Sequence, residues 1–182
     1  MMKNGNIILR YIKENDIENY IRWTTTETEW NDWDAPWEED DTDNFVERQR
    51  AALKKTPQVY GKLEIDTVFG KHIGWVSSYY IDGDEKKTAV GIDIPSVSDR
   101  GKGFGENALT LFMAYLFTTE STLYTQTWSG NTTMLRLAEK IGFVEVDRIV
   151  DLREVRGKKY DALTFSISKN SFFNRYPIFR TS

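Results

Sequence analysis

The segment Asp99-Arg100-Gly101-Lys102-Gly103-Phe104-Gly105-Glu106 joins a β-branched stretch to an apolar one, and its reading decides the fold. Glycines remove side chains that block a backbone from approaching phosphate, and free amides at a helix start point at an anion. Arg100 and Lys102 add positive charge. The plain alternative is a tight strand-to-helix turn. No Gly-Lys-Ser/Thr ends the segment, so it is not a Walker loop, and it lacks the G-x-G-x-x-G spacing of a dinucleotide fingerprint. Just upstream, Pro95 has no N–H and breaks the strand ladder. A strand released there leaves backbone groups for an extended, amide-containing ligand, such as the pantetheine arm of coenzyme A.

Working outward, Thr88–Ile94 reads as the strand before the loop, and Gly105–Thr118 as a helix apolar nearly all round, hence buried. Thr122–Trp128 is the next strand. Asn131 caps a helix carrying Met134, Leu137, Ala138 and Ile141, stopped by Gly142. Phe143–Val155 and Lys158–Ser168 form a hairpin around Arg156-Gly157. Toward the start, Ile7–Tyr11 reads as a strand and Asn15-Asp16 as the cap of a helix through Trp23. A second helix runs from Thr42 or Asp43 to near Pro57. Val59–Ile65 and His72–Ile81 complete a three-strand meander. The order predicts an α/β fold: a mixed, mostly antiparallel sheet of about seven strands, with helices on both faces and a splayed central strand pair. No repeat or linker divides the chain, so residues 1–182 are expected to form one domain, with a cofactor-binding part at about 88–143.

With 182 residues, 40% hydrophobic and 29% charged, the composition is that of a soluble globular protein. No apolar run approaches the ~20 residues of a membrane span, and Met1–Asn6 has no apolar core behind its charge, so a cytoplasmic location is expected. Zero Cys excludes disulfides and thiolate catalysis, and the single histidine, His72, excludes a multi-histidine metal site; no metal is expected. The net charge of −4 argues against nucleic-acid binding. Charge is concentrated: Glu27 to Asp43 holds nine acids and no Lys or Arg, leaving the rest of the chain at +5. Trp30, Trp33 and Trp37 interleave with those acids. The stretch is either a solvated acidic loop or a flap that attracts a cation through carboxylates and indole faces.

Arg100-x-x-Gly103-x-Gly105 resembles the Gln/Arg-x-x-Gly-x-Gly/Ala signature of the GNAT superfamily of N-acetyltransferases, and the element order is similar over nearly the whole chain. Asn131, Leu137 and Glu139-Lys140-x-Gly142-Phe143 resemble that family's second acetyl-CoA motif. The resemblance implies acetyl-CoA as co-substrate, with its pyrophosphate on amides from Arg100 through Gly101, Lys102, Gly103 and Phe104 to Gly105, beside Glu106. It implies a pantetheine arm along Ile92–Ile94 and a thioester in the gap beside Thr122–Trp128. Where the family often has a Tyr to protonate the thiolate, this chain has Ala138. The thiol's pKa, not far from the ~8.5 of cysteine, tolerates unassisted departure.

Acyl transfer to an amine needs a group to take its proton. Asp93 lies on the opposite strand face from Ile92 and Ile94, just before the loop. Either it pairs with a structural Arg or Lys, or it is the general base; Gly91-Ile92-Asp93 resembles the stretch with the proposed catalytic aspartate of aminoglycoside 6′-N-acetyltransferases. Glu64 and Asp66 are the other candidate bases. His72 is expected to be exposed at a turn and inert, and Trp75, Tyr79 and Tyr80 to form core or cleft wall. Asn131 caps its helix, bonds the cofactor, or does both. The acceptor wall is expected to comprise Trp30, Asp32, Trp33, Asp34, Trp37 and Trp128. The expected reaction is direct acetyl transfer to a primary amine of a cationic small molecule, a polyamine or aminoglycoside. The alternatives are acetylation of a protein N-terminus, as of a ribosomal protein, or a non-catalytic acetyl-CoA binder. The aromatic tail, Phe172-Phe173 and Tyr176–Phe179, suggests packing or a homodimer contact.

Overall fold

In the computed structural model, β1 (Met2–Asn4) and β2 (Ile7–Arg10) close into an antiparallel hairpin, with Met2 opposite Leu9 and Asn4 opposite Ile7. Gly5, at φ +54°, supplies the left-handed turn between them. This first strand brings the strands among the described residues to eight rather than about seven; at three residues it is too short to show a period. The structure describes residues 1–37, 42–55 and 61–181, and the side chains of Thr42, Asp43 and Thr181 are not among those described. Glu38, Glu39, Asp40 and Asp41 of the acidic stretch lie outside the described residues, as do Pro57 and Val59. The described chain separates into two compact units, residues 1–77 with 92–108, and residues 78–91 with 109–182.

In the first unit, β2 pairs antiparallel with β3 (Lys62–Thr67), which pairs antiparallel with β4 (His72–Tyr80). Helix α1 (Asp16–Thr25) and helix α2 (Thr42–Leu53) precede the meander, with a 3₁₀ turn over Thr28–Asp32 between them. Ile7 and Leu9 on β2 and Leu63 and Ile65 on β3 are buried at alternate positions, and the first five residues of β4, Ile73 and Val76 among them, are buried without alternation. Asn15 does not cap α1 with its side chain. Asp16 instead turns inward, where it accepts from the Lys13 amide at 2.7 Å and from Arg10 Nη1 at 2.6 Å. Gly74 is needed for a close approach: a Cβ there would lie 2.0 Å from the Asp93 carbonyl oxygen. The β3–β4 register shifts beside it, between Ile65 and Asp66.

Strand β5 (Thr88–Asp93) and helix α3 (Phe104–Leu116) each pass from one unit to the other. In the first unit, Asn107 on α3 fastens the opening hairpin. Asn4 Nδ2 donates to its carbonyl at 3.1 Å, and its own Nδ2 donates to Asn6 Oδ1 at 2.9 Å.

In the second unit β5 runs parallel to β6 (Thr122–Trp128) with Ala89 opposite Tyr124, and Thr125 Oγ1 donates to Val90 O at 2.9 Å. β6 then pairs antiparallel with β8 (Lys158–Ser168) from Thr122↔Ser168 to Trp128↔Ala162. β8 and β7 (Val144–Val155) form the expected hairpin, turning at Arg156 and Gly157, both with positive φ. Helix α4 (Thr132–Ile141) ends on Gly142 at φ +100°. The tail forms α5 (Lys169–Arg175) and a 3₁₀ turn over Pro177–Thr181. Its aromatics pack within the unit: Phe172 is fully buried, 5.1 Å from the Phe117 ring and 6.0 Å from that of Phe179. The fold is mixed α/β and mostly antiparallel. No helix among the described residues is long and apolar enough to cross a membrane.

Candidate active site

The loop begins with a 3₁₀ turn over Val97–Asp99, in which the Asp99 amide donates to Ser96 O at 3.0 Å and the Arg100 amide to Val97 O at 3.1 Å. Lys71 Nζ anchors the buried Asp99 carboxylate at 2.6 and 2.7 Å. Gly101 (φ +73°) and Gly103 (φ +79°) are left-handed, and a Cβ on either would meet nothing within 4 Å. Backbone conformation, not crowding, calls for glycine at both. The first α3 bond is Asn107 N to Gly103 O at 3.1 Å. The amides of Phe104 and Gly105 precede that bond, in the first turn and at the positive end of the helix dipole. Exposed Lys102 stands beside them. This donor set fits a pyrophosphate.

Arg100 departs from the expectation. Its amide is already used, and its guanidinium donates to Ile94 O at 2.8 Å, Pro95 O at 2.7 Å and Glu29 Oε2 at 2.7 Å. The amides available to an anion thus begin after Arg100. The physical reason is Pro95: by ending the ladder it strands the carbonyls of residues 94 and 95, which need donors. Those carbonyls are accordingly not left for a ligand. Ile92 and Ile94 are half-buried at the end of the strand.

Asp93 keeps some exposed surface, yet its carboxyl is held well above the usual carboxylate range. Desolvation is the leading cause, followed by repulsion from Asp34; Lys62, a hydrogen bond from Trp75 and Arg100 act in the opposite sense. The other candidate bases have internal partners. Glu64 Oε2 accepts from Tyr20 Oη at 2.7 Å and lies 2.9 Å from His72 Nε2, while Asp66 receives Arg10 Nε at 2.5 Å and Nη2 at 2.6 Å. His72 is buried, not exposed, and Asn19 Nδ2 lies 3.0 Å from its Nδ1. It opens β4 on the inward face, where Glu64 and Asp16 flank it; adjacency to a turn misled the sequence reading.

The acidic stretch divides by role. Trp30 is part of the core, packed with Tyr20, Trp23 and Trp75, and its Nε1 donates to Trp23 O at 2.8 Å. Its indole is therefore not the open cation-binding face the sequence suggested, because burying that large ring is the stronger preference. Trp33 Nε1 donates to Glu29 Oε1 at 2.6 Å. Glu27 pairs with Arg22 at 3.0 Å and accepts from Ser96 Oγ. Asp32 and Asp34 are exposed, and Trp33 and Trp37 are half-buried.

Sequence reasoning missed Lys62. Lys62, Glu64 and Asp66 alternate along β3 like a solvated face, but Glu64 and Asp66 are buried. Lys62 Nζ lies 4.5 Å from the Tyr20 ring centroid, 4.5 Å from that of Trp75 and 5.7 Å from that of Phe45, and donates to Gln49 Oε1 at 2.7 Å. Burial pulls this ammonium down to about 8. The readable signal was compositional: charged residues on a strand amid so many aromatics.

In the second unit, Asn131 Oδ1 accepts from the Met134 amide at 3.0 Å, the helix cap that the sequence allowed. Trp128 is buried edge-on to Tyr160, ring centroids 4.9 Å apart, and its indole fills the space a Cβ at Gly130 would need.

The description "Acetyltransferase (GNAT) domain" matches residues 6–144. No curated protein sequence gives a match. Solved structures do. Spermidine N-acetyltransferase from Vibrio cholerae, in complex with CoA and spermine, is similar at a TM-score of 0.75 and 19% identity, covering 94% of this chain and 100% of that one. RimL, a ribosomal-protein α-N-acetyltransferase in complex with coenzyme A, is similar at 0.74 and 13% identity, covering 92% and 96%. A microcin self-immunity acetyltransferase with acetyl-CoA and AMP is similar at 0.71 and 19% identity, covering 91% and 93%. At these identities the likeness is one of fold.

Proposed function

The chain belongs to the GNAT acetyltransferase family and is an acetyl-CoA-dependent N-acetyltransferase, and on that footing we propose that it acetylates a primary amine of a cationic small molecule, with Asp93 as the general base. Acetyl-CoA supplies an activated acetyl thioester. The amides of Phe104 and Gly105, with Gly101 and Gly103 shaping the turn, would hold its pyrophosphate. Asp93 stands six residues before Asp99, on the strand that feeds this loop. In its carboxylate form, made more basic by burial, it takes the proton that the acceptor nitrogen loses as the new C–N bond forms and the thiolate leaves. With no Cys in the chain, attack is direct.

The observation that carries the reading is the desolvated Asp93 carboxyl at the end of the strand before the loop, with the charge of Asp34 acting to raise it further. Acidic charge around that position favours a cationic acceptor. A spermidine acetyltransferase shares the fold, which supports a polyamine-type acceptor.

The test follows coenzyme A release with a thiol reagent against polyamines, aminoglycosides and N-terminal peptides; a protein without Cys contributes no background. Turnover with a polyamine or aminoglycoside is expected. Asp93→Asn is expected to lower kcat by roughly 10²–10⁴-fold while leaving acetyl-CoA affinity unchanged. Near-normal turnover of that variant across pH overturns the base assignment, and activity confined to peptides overturns the acceptor class.

A further inference from the structure

Among the described residues β7 pairs only with β8, which leaves its other edge without a neighbouring strand. Such an edge is ordinarily blunted by charge, Pro or shortness. Here five apolar side chains stand in solvent within a short stretch: Val144, Val146, Ile149, Val150 and Leu152, each between 48% and 67% exposed. Register explains how they come to be there. The pairing with β8 slips between Glu145 and Asp147 and again between Ile149 and Arg153. Val146, Val150 and Leu152 are therefore left without a partner on β8, pushed out by bulges. Asp151, at φ +57°, makes the bend of the second bulge, and its amide donates to Asp161 Oδ1 at 3.1 Å. The bulges interrupt the ladder, so a further strand would not add in register across them. What this edge offers is a row of apolar knobs.

We propose that β7 is a homodimer interface, in which the bulged apolar residues of one copy pack against those of a second copy across a two-fold axis at mid-strand. The proposal depends on neither the acceptor nor the base assigned above. It also moves the contact away from the aromatic tail, whose Phe172 ring is buried within its own unit against Phe117.

Charge selects a second copy as the occupant. Residues 144–161 hold five acids and five bases, a net charge of zero in a chain of −4. A strongly charged partner of either sign gains no long-range attraction from such a hairpin. An identical hairpin meets no net repulsion. The charges are also sorted along the strand. Residues 144–147 carry Glu145 and Asp147 and no base, whereas Arg156, Lys158 and Lys159 at the turn have no acid among them. Two copies set antiparallel bring the acidic end of each beside the basic turn of the other, the same contact made twice, as an isologous interface requires. Arg148, the cation amid the apolar row, already has its partners: Nε donates to Glu145 Oε1 at 2.8 Å and Nη1 to Asp161 Oδ2 at 2.5 Å. Covering it therefore leaves no charge without a counter-charge.

The experiment is sedimentation equilibrium of the full chain over micromolar concentrations, where the unmodified protein is expected to show twice the mass of one chain. Val150→Lys and Leu152→Lys, each placing a charge in the apolar row, are expected to weaken self-association about tenfold or more. Phe69→Lys on the β3–β4 turn and Ile178→Lys on the tail alter equally exposed apolar positions and are expected to leave it unchanged. Asp147→Lys is expected to weaken the dimer, and adding Lys158→Glu to restore it; a double variant no better than Asp147→Lys alone overturns the two-fold arrangement. Should the β7 variants not fold, the unmodified protein supplies a second readout. Its Val146, Val150 and Leu152 methyl NMR signals are expected to move as the chain is concentrated, and those of Ile178 to stay. A monomer at every concentration, a dimer that folded Val150→Lys and Leu152→Lys leave intact, or β7 methyl signals indifferent to concentration overturns the proposal.

Discussion

Arg100 and Glu29 are joined at 2.7 Å, so the residue that opens the glycine loop also grips the acidic stretch 71 positions earlier. The same guanidinium closes off the carbonyls of Ile94 and Pro95. One side chain thus ties the loop proposed to hold the acyl donor to the stretch proposed to face the acceptor.

That tie predicts a split between stability and kinetics. The pair is partly exposed, and such pairs contribute about 0–1 kcal/mol. Glu29→Gln is therefore expected to leave Tm nearly unchanged while raising KM for a cationic amine severalfold. Arg100→Gln, which also abandons two carbonyls, is expected to lower Tm and weaken acetyl-CoA binding. Equal effects of both substitutions on Tm would show that the carbonyl bonds do not matter.

Gly74 sets a different limit. A Cβ there would lie 2.0 Å from the Asp93 carbonyl oxygen, a backbone atom that cannot swing aside. Gly74→Ala is expected to cost about 2–4 kcal/mol in urea unfolding, within the range of severe steric substitutions. Because the displaced backbone carries Asp93, kcat is expected to fall further than stability alone explains. A variant with wild-type stability would mean that the strands separate there at little cost.

Asp93 ought to weaken the fold it serves. Its folded pKa is raised, so between the unfolded value near 3.8 and the folded one the native state holds the extra proton. Stability from this group is then present at low pH and is lost as pH rises through the folded pKa. Asp93→Asn is expected to raise stability at pH 7, by about 1.4 kcal/mol for each unit of upward shift, and to match the wild type below pH 4. Urea curves at both pH values decide it; destabilisation at pH 7 would contradict the reading.

The cluster around Arg10 carries the opposite sign. Asp16 is held below the ordinary carboxylate range: desolvation pushes it up, but bonds from Arg10 and the Lys13 amide, with the charges of His72 and Arg10, outweigh that. Its contribution is present above the unfolded pKa near 3.8 and lost as pH falls through the folded one. Asp16→Asn is expected to cost about 3–5 kcal/mol at pH 7, as when one partner of a buried ion pair is removed, and much less in acid. A penalty independent of pH would assign the effect to packing.

Much of this was legible in the sequence. β6 and the β7–β8 hairpin follow from β-branched runs bounded by turn residues, and α4 from Asn131 and Gly142 at its ends. The loop declared itself because positive φ demands glycine at Gly101 and Gly103. What stayed hidden depended on partners distant in the chain. His72 reads as a turn residue until β3 sets Glu64 beside it. Lys62 reads as a surface lysine until α1 and α2 close over its strand. Arg100 reads as a phosphate ligand until the carbonyls stranded by Pro95 are counted. In each case local pattern fixed the backbone, and tertiary pairing chose where the charge points.

Asn107 has a practical corollary for anyone handling this protein. Its amide and carbonyl clasp Asn6 and Asn4, and Gly5 has only 3.1 Å of clearance above it for a Cβ. The foot of the helix that follows the proposed donor loop is thus seated on the β1–β2 turn. Lengthening or replacing that turn is expected to disturb the start of the helix, so donor affinities compared between variants altered at residues 4–6 will carry the mark of that seat.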